Sequence, residues 1–106
     1  WSFQVTSALR MSILLMLMAP MPGELTFSIN RRLVASGLSV DESAVRQAVG
    51  FAFRTLKLVV EPGGAVGLAA LLSGRFSARG KTVAVILSGG NLDPALFSEI
   101  LVSAPE

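Results

Sequence analysis

Two short stretches hold the residues best suited to touch a ligand. The first is Ser88-Gly89-Gly90-Asn91, which directly follows the uncharged, branched run Thr82 to Leu87. Two adjacent glycines open backbone conformations closed to other residues and let the chain approach a bound molecule closely. Ser88 is the best-placed polar side chain at this break. The second stretch is Val59-Val60-Glu61-Pro62, followed by Gly63, Gly64, Ala65, Gly67, Ala69 and Ala70. It brings a carboxylate to the mouth of a helix rich in small residues, where another element or a ligand can come close to the backbone. Glu61 fits two roles, a cap favoured by the helix dipole or a group facing a pocket, and the residues alone leave both open. The chain has no Cys and no His, which excludes disulfides, thiolate catalysis, the Ser-His triad and ordinary zinc sites.

The elements that must position these residues follow from pattern. Thr82 to Leu87 shows no alternation of apolar and polar residues, so it reads as a strand buried on both faces. Asp93 is a candidate N-cap and Pro94 a first helical residue, so a helix should start there. Strand, small-residue turn and helix start together are the usual geography of a ligand site outside the carboxyl end of a strand. Pro62 should open another helix, ending near Leu72 and Gly74. Upstream, Val45, Ala48, Val49, Ala52, Phe53 and Leu56 form one apolar stripe of a helix over about Glu42 to Leu58. Its start offers Ser39 and Glu42 at capping-box spacing, with Asp41 as a second possible cap. Leu25, Ile29 and Leu33 predict a helix over Gly23 to Ser36, with Gly37 as its terminating glycine, and Leu38 to Val40 as a short extended piece. Arg75 to Lys81 reads as a surface loop.

With 106 residues the chain has room for one modest domain. It is 52% hydrophobic and only 15% charged, with a mean hydropathy of +0.66. That is unusually apolar for a small domain whose surface must stay polar, and it fits a buried piece of a larger body, an oligomer or a membrane-associated chain. The net charge of +2, scattered basic residues and the absence of Tyr exclude a basic-aromatic surface for nucleic acid. The run Met11 to Met18 is apolar, but a membrane span needs roughly 20 such residues. A signal peptide is disfavoured as well, because no small-x-small cleavage site follows the run. No membrane or nucleic-acid partner is therefore expected. Residues 1–22 form an atypical apolar segment, and the domain proper is expected over 23–106.

Gly23 to Leu101 resembles the C-terminal part of the threonine/serine dehydratase family, pyridoxal-phosphate lyases of fold type II that include serine racemase. The matching stretches are P-G-E-L-T-F at Pro22 to Phe27, V-D-E at Val40 to Glu42, V-E-P-G-G-A-V-G-L-A-A-L-L at Val60 to Leu72 and V-I-L-S-G-G-N-L-D at Val85 to Asp93. Each is short, but all four stand in family order and spacing. The resemblance implies an α/β fold, here an incomplete C-terminal piece of the tryptophan synthase β-like large domain, with mostly helices around one buried strand. It implies pyridoxal phosphate as cofactor, a hydroxy amino acid (threonine or serine) as substrate, and a cytoplasmic homo-oligomer that forms a 2-oxo acid and ammonia. By the same resemblance Ser88 would bond the pyridine nitrogen, Glu61 would lie close to the cofactor, and Gly64 and Gly89 would shape the walls.

Two departures qualify what the resemblance implies. The family's Schiff-base lysine and glycine-rich phosphate loop match nothing here, since Lys57 and Lys81 sit in no such motif. No catalytic residue is therefore assigned, and the chain alone is expected to be inactive. At Ile13 to Leu17 the family's usual acid is missing, and the residues before it match nothing. One hypothesis is that Trp1 to about Met16 comes from a shifted frame or a broken gene; it fails if no other upstream frame encodes the family's residues. The competing readings are a non-catalytic relic that keeps the packing surfaces, and a small protein anchored by Met11 to Met18.

Overall fold

A computed structural model of the chain describes residues 2–6, 10–14 and 23–103. The elements run β1 (Ser2–Thr6), β2 (Arg10–Leu14), α1 (Glu24–Leu33), β3 (Val34–Leu38), α2 (Glu42–Phe51), a π-helical turn (Ala52–Leu56), α3 (Pro62–Leu72), β4 (Val83–Val85) and α4 (Pro94–Ser103). The core lies where α2 and α3 pack together, with Ile100 of α4 closing it. The stripe expected over Glu42 to Leu58 is buried at Val45, Ala48, Val49 and Ala52, but its last members, Phe53 at 39% and Leu56 at 43%, stand exposed on the π turn. Across from it α3 is buried from Gly64 to Ala70. A helix apolar on every side belongs inside, and its glycines and alanines let α2 come near.

Local signals place the helix starts well. Pro62 and Pro94 each take the first position of a helix. Asp93 caps α4, accepting from Leu96 N–H at 2.9 Å. At α2 the choice of cap falls to Asp41, whose Oδ1 accepts from Ala44 N–H at 2.8 Å and from the Ser43 hydroxyl at 3.0 Å. These bonds, the Ala44 amide first, hold the Asp41 carboxyl below its ordinary pKa of 3.8. A carboxylate with a lowered folded pKa stabilises fully above its unfolded value, and that contribution fades as pH falls through the folded value. Asp41→Ala should therefore melt below the parent at pH 7, with the gap narrowing below about pH 4. Melting curves at several pH values check this, and a gap constant down to pH 2 would contradict it.

Three expectations need correction. The single buried strand is instead one member of a four-stranded sheet of order β3-β2-β1-β4. β1 runs antiparallel to both β2 and β4, with Val5 opposite Ala84, and β2 runs parallel to β3. β4 sits at the edge, only three residues long, with Ala84 exposed and Val83 and Val85 half-buried. Branched composition marks a strand but does not say which layers cover it. Second, the first helix stops at Leu33, and Val34 turns extended at φ −87°, ψ 125°. Gly37 is thus inside β3, paired with Ile13, and ends no helix. The gain of a parallel ladder outweighs one more helical turn. The apolar stripe of α1 is left in solvent, with Leu25 76% exposed. Third, the helix over Glu42 to Leu58 widens into the π turn and ends at Lys57, which adopts the left-handed φ of 61°. Of the run Met11 to Met18, residues up to Leu14 lie in β2 and the remainder lies outside the described residues. No helix among the described residues is long and apolar enough to cross a membrane.

Candidate functional site

The chain leaves the π turn, runs extended through Val59 and Val60, and enters α3 at Pro62. Across this entrance lies a strap, the segment Ser88 to Gly90, which follows β4. Glu61 N–H donates to the Gly89 carbonyl at 3.1 Å, stitching the two stretches together. Gly64 is buried, and a Cβ there would overlap the Ser88 carbonyl oxygen, so backbone packs directly on backbone. Gly89 adopts φ +79°, a conformation that side chains rarely tolerate, and a Cβ on it would collide with the Glu61 carboxylate. A Cβ on Gly90 would meet the Val59 carbonyl at 3.1 Å. Ser88, Gly89, Glu61 and Gly64, separated by up to about a quarter of the chain, are thus one contiguous cluster.

The polar atoms of the cluster are conspicuous for what they leave unused. Glu61 occupies the N-cap position of α3, yet its side chain makes no cap hydrogen bond. Its carboxylate lies against Gly89 instead. Of the two roles open to it, cap or group facing a pocket, the side-chain cap bond is not made. Ser88 is half-buried, and its hydroxyl makes no hydrogen bond to any described residue. A hydroxyl both donates and accepts, so at a partly exposed position it can meet solvent or a ligand's polar edge. Neither lysine turns to this wall: Lys57 Nζ donates to the Arg54 carbonyl at 2.6 Å, and Lys81 Nζ to the Ser77 carbonyl at 3.1 Å. No group of acids able to hold a metal ion exists among the described residues. The cluster's polar side chains are the Ser88 hydroxyl and the Glu61 carboxylate, and no lysine stands beside them among the described residues.

Two features escaped the pattern reading. Arg46 bridges Glu42 at 3.0 Å and Glu99 at 2.7 Å. The first pair has a legible i, i+4 spacing; the second spans 53 positions and leaves no local trace. Those two hydrogen bonds, Glu99 first, raise the already high pKa of the Arg46 guanidinium. The other feature is a cavity of about 450 Å³ between α2, Pro62 and α4, walled by Val40, Val45, Leu96 and Ile100. It touches neither Ser88 nor Glu61.

No family model matches the chain. An L-threonine ammonia-lyase of Thermotoga maritima is 38% identical over 80 residues, which make up 76% of this chain and 20% of that protein. A serine racemase of Arabidopsis thaliana is 41% identical over 76 residues, 67% of this chain and 23% of the relative. The solved structure of maize serine racemase superposes with a TM-score of 0.60 at 35% identity, covering 76% of this chain and 27% of that one. Over about three-quarters of the chain the helix-rich framework is thus similar to that of maize serine racemase. Over about three-quarters of its length the chain is homologous to the C-terminal portion of the threonine/serine dehydratase family, to which threonine ammonia-lyases and serine racemases belong. It spans about a fifth to a quarter of the length of the curated relatives it matches.

Proposed function

We propose that residues 23–106 form the C-terminal wall of a pyridoxal-phosphate lyase that dehydrates and deaminates L-threonine or L-serine to a 2-oxo acid and ammonia. The observation that carries this reading is the unpaired Ser88 hydroxyl on a strap pressed by Gly64 and Gly89 against Glu61. A hydroxyl so placed fits the pyridine nitrogen, and the missing Cβ atoms let the strap close onto α3 and Glu61 to form one face. Gly64 and Gly89 shape that face, and Glu61 borders it. When bound, pyridoxal phosphate supplies the electron sink for loss of the α-proton. Ser88 offers the nitrogen a neutral partner in place of a carboxylate, which favours prompt departure of a β-leaving group over transamination.

This wall needs the lysine and phosphate loop that the matched relatives' other three-quarters would supply. The test is to join residues 23–106 to the N-terminal part of the Thermotoga maritima ammonia-lyase and measure 2-oxo acid and ammonia from threonine and serine. A folded, inactive hybrid that binds no pyridoxal phosphate would sink the reading. The 106-residue chain alone should form no aldimine at a defined site. Borohydride trapping with peptide mapping checks this, and stoichiometric labelling of Lys57 or Lys81 alone would contradict it.

A further inference from the structure

The strap that carries Ser88 is continuous with α4. Leu92 N–H donates to the Gly90 carbonyl at 2.9 Å, and Phe97 N–H to the Asp93 carbonyl at 2.9 Å. With Asp93 also capping the helix through its side chain, strap and α4 form one stiff piece. At one end this piece rests on α3 through Ser88 and Gly89. At the other it is gripped by the segment of α2 and the π turn. Arg46 Nη1 reaches Glu99 Oε1 at 2.7 Å, and its Nε holds Glu42 of its own helix. Arg54 Nη2 donates to the Leu101 carbonyl at 2.7 Å, in the last turn of α4, where unpaired carbonyls carry the negative end of the helix dipole. Phe53 stands edge-on to Phe97, ring centroids 5.1 Å apart.

We propose that Arg46 and Arg54 are positioning residues for Ser88: by gripping α4 they press the strap onto the start of α3 and set where the hydroxyl stands. The inference rests on the reading in which Ser88 meets the cofactor. It adds that the reach of Ser88 is controlled from the α2 side of the domain, by residues that touch neither substrate nor cofactor. The Glu61 N–H bond to the Gly89 carbonyl is the natural reporter, since it breaks whenever the strap lifts.

Residue-resolved amide hydrogen exchange on the full chain tests the grip without any cofactor. Arg54→Met should speed exchange at Glu61 about tenfold, while Val49 and Val66 inside α2 and α3 keep their rates. Arg54→Lys should recover part of the protection. Glu99→Gln, an exposed and conservative change, should speed Glu61 several-fold, in the same pattern. Equal acceleration at Glu61, Val49 and Val66 would mean general loosening and would overturn the proposal, as would an unchanged Glu61. A second arm titrates pyridoxal phosphate into the hybrid with the Thermotoga maritima N-terminal part: Arg54→Met should weaken binding in the otherwise unchanged hybrid and have no further effect in Ser88→Ala. Undiminished loss in the Ser88→Ala background would also overturn it. If Ser88→Ala itself leaves the affinity unchanged, the cofactor contact falls, and the grip is decided by Glu61 exchange alone.

Discussion

Gly64→Ala is expected to cost the chain about 3 kcal/mol or more, a large share of the roughly 5–15 kcal/mol that holds a domain of this size together. The reason is the identity of the atoms in the way. The new methyl would overlap the Ser88 carbonyl oxygen, with the Ser88 carbonyl carbon and amide nitrogen close behind. All three are backbone atoms of a strap tied down by the Glu61 bond and by α4, so no flexible side chain can swing aside. Relief requires α3 and the strap to part, which exposes the buried small-residue face of α3. Gly63→Ala is the matched control, one position earlier in the same helix. A Cβ there meets nothing within 4 Å, so the substitution should be neutral or stabilise by up to about 1 kcal/mol through helix propensity. Denaturant unfolding of the two variants gives the comparison. Equal midpoints would show that the strap does not lie on α3 as described.

The second large effect concerns Ser88 in the hybrid enzyme. Ser88→Ala should leave cofactor attached through the lysine and phosphate contacts supplied by the other part, though with lower affinity, and should slow elimination. Ser88→Asp should change the outcome in kind. A carboxylate favours the protonated form of a nearby ring nitrogen, and each pKa unit gained raises the protonated fraction by up to about tenfold. The charge left by the departing α-proton is then held longer, and transamination or racemisation should grow at the expense of ammonia release. If Ser88 only terminated β4, both substitutions would alter stability and leave the product ratio alone. The ratio of 2-oxo acid to side products for Ser88→Asp separates the cases. An unchanged ratio with cofactor retained would defeat the assignment.

Much of what frames the site is written locally. Pro62 and Pro94 mark helix starts because each is followed by residues that can continue a helix and because neither has an N–H to lose. The Asp93 cap, the stripe on α2 and the break at Ser88-Gly89 are all legible within a few residues. Other features cannot be read this way. Gly63 and Gly64 are identical neighbours in the sequence, yet one faces open space and the other the Ser88 carbonyl. Val34 to Leu38 could extend a helix by composition, and becomes a strand because β2 offers it a ladder. The apolar run around β4 looked like an interior strand, and it is an edge because only β1 pairs with it among the described residues.

The sequence by itself determined the caps, the turn, the helical stripe, and the family resemblance that joins Glu61 and Ser88 to one kind of chemistry. Only the tertiary structure decided that the Glu61 carboxylate lies against Gly89 without a cap bond, that the Ser88 hydroxyl bonds no described residue, and that Arg46 and Arg54 reach α4. The division has a physical cause. Caps and periodicities depend on dihedral angles and hydrogen bonds within one or two turns of chain, so residue type and spacing encode them directly. Contacts such as Glu61 with Gly89 or Arg46 with Glu99 join segments that meet only after the core of α2 and α3 has closed. Which of many similar glycines and arginines ends up at such a junction depends on the packing of everything between them.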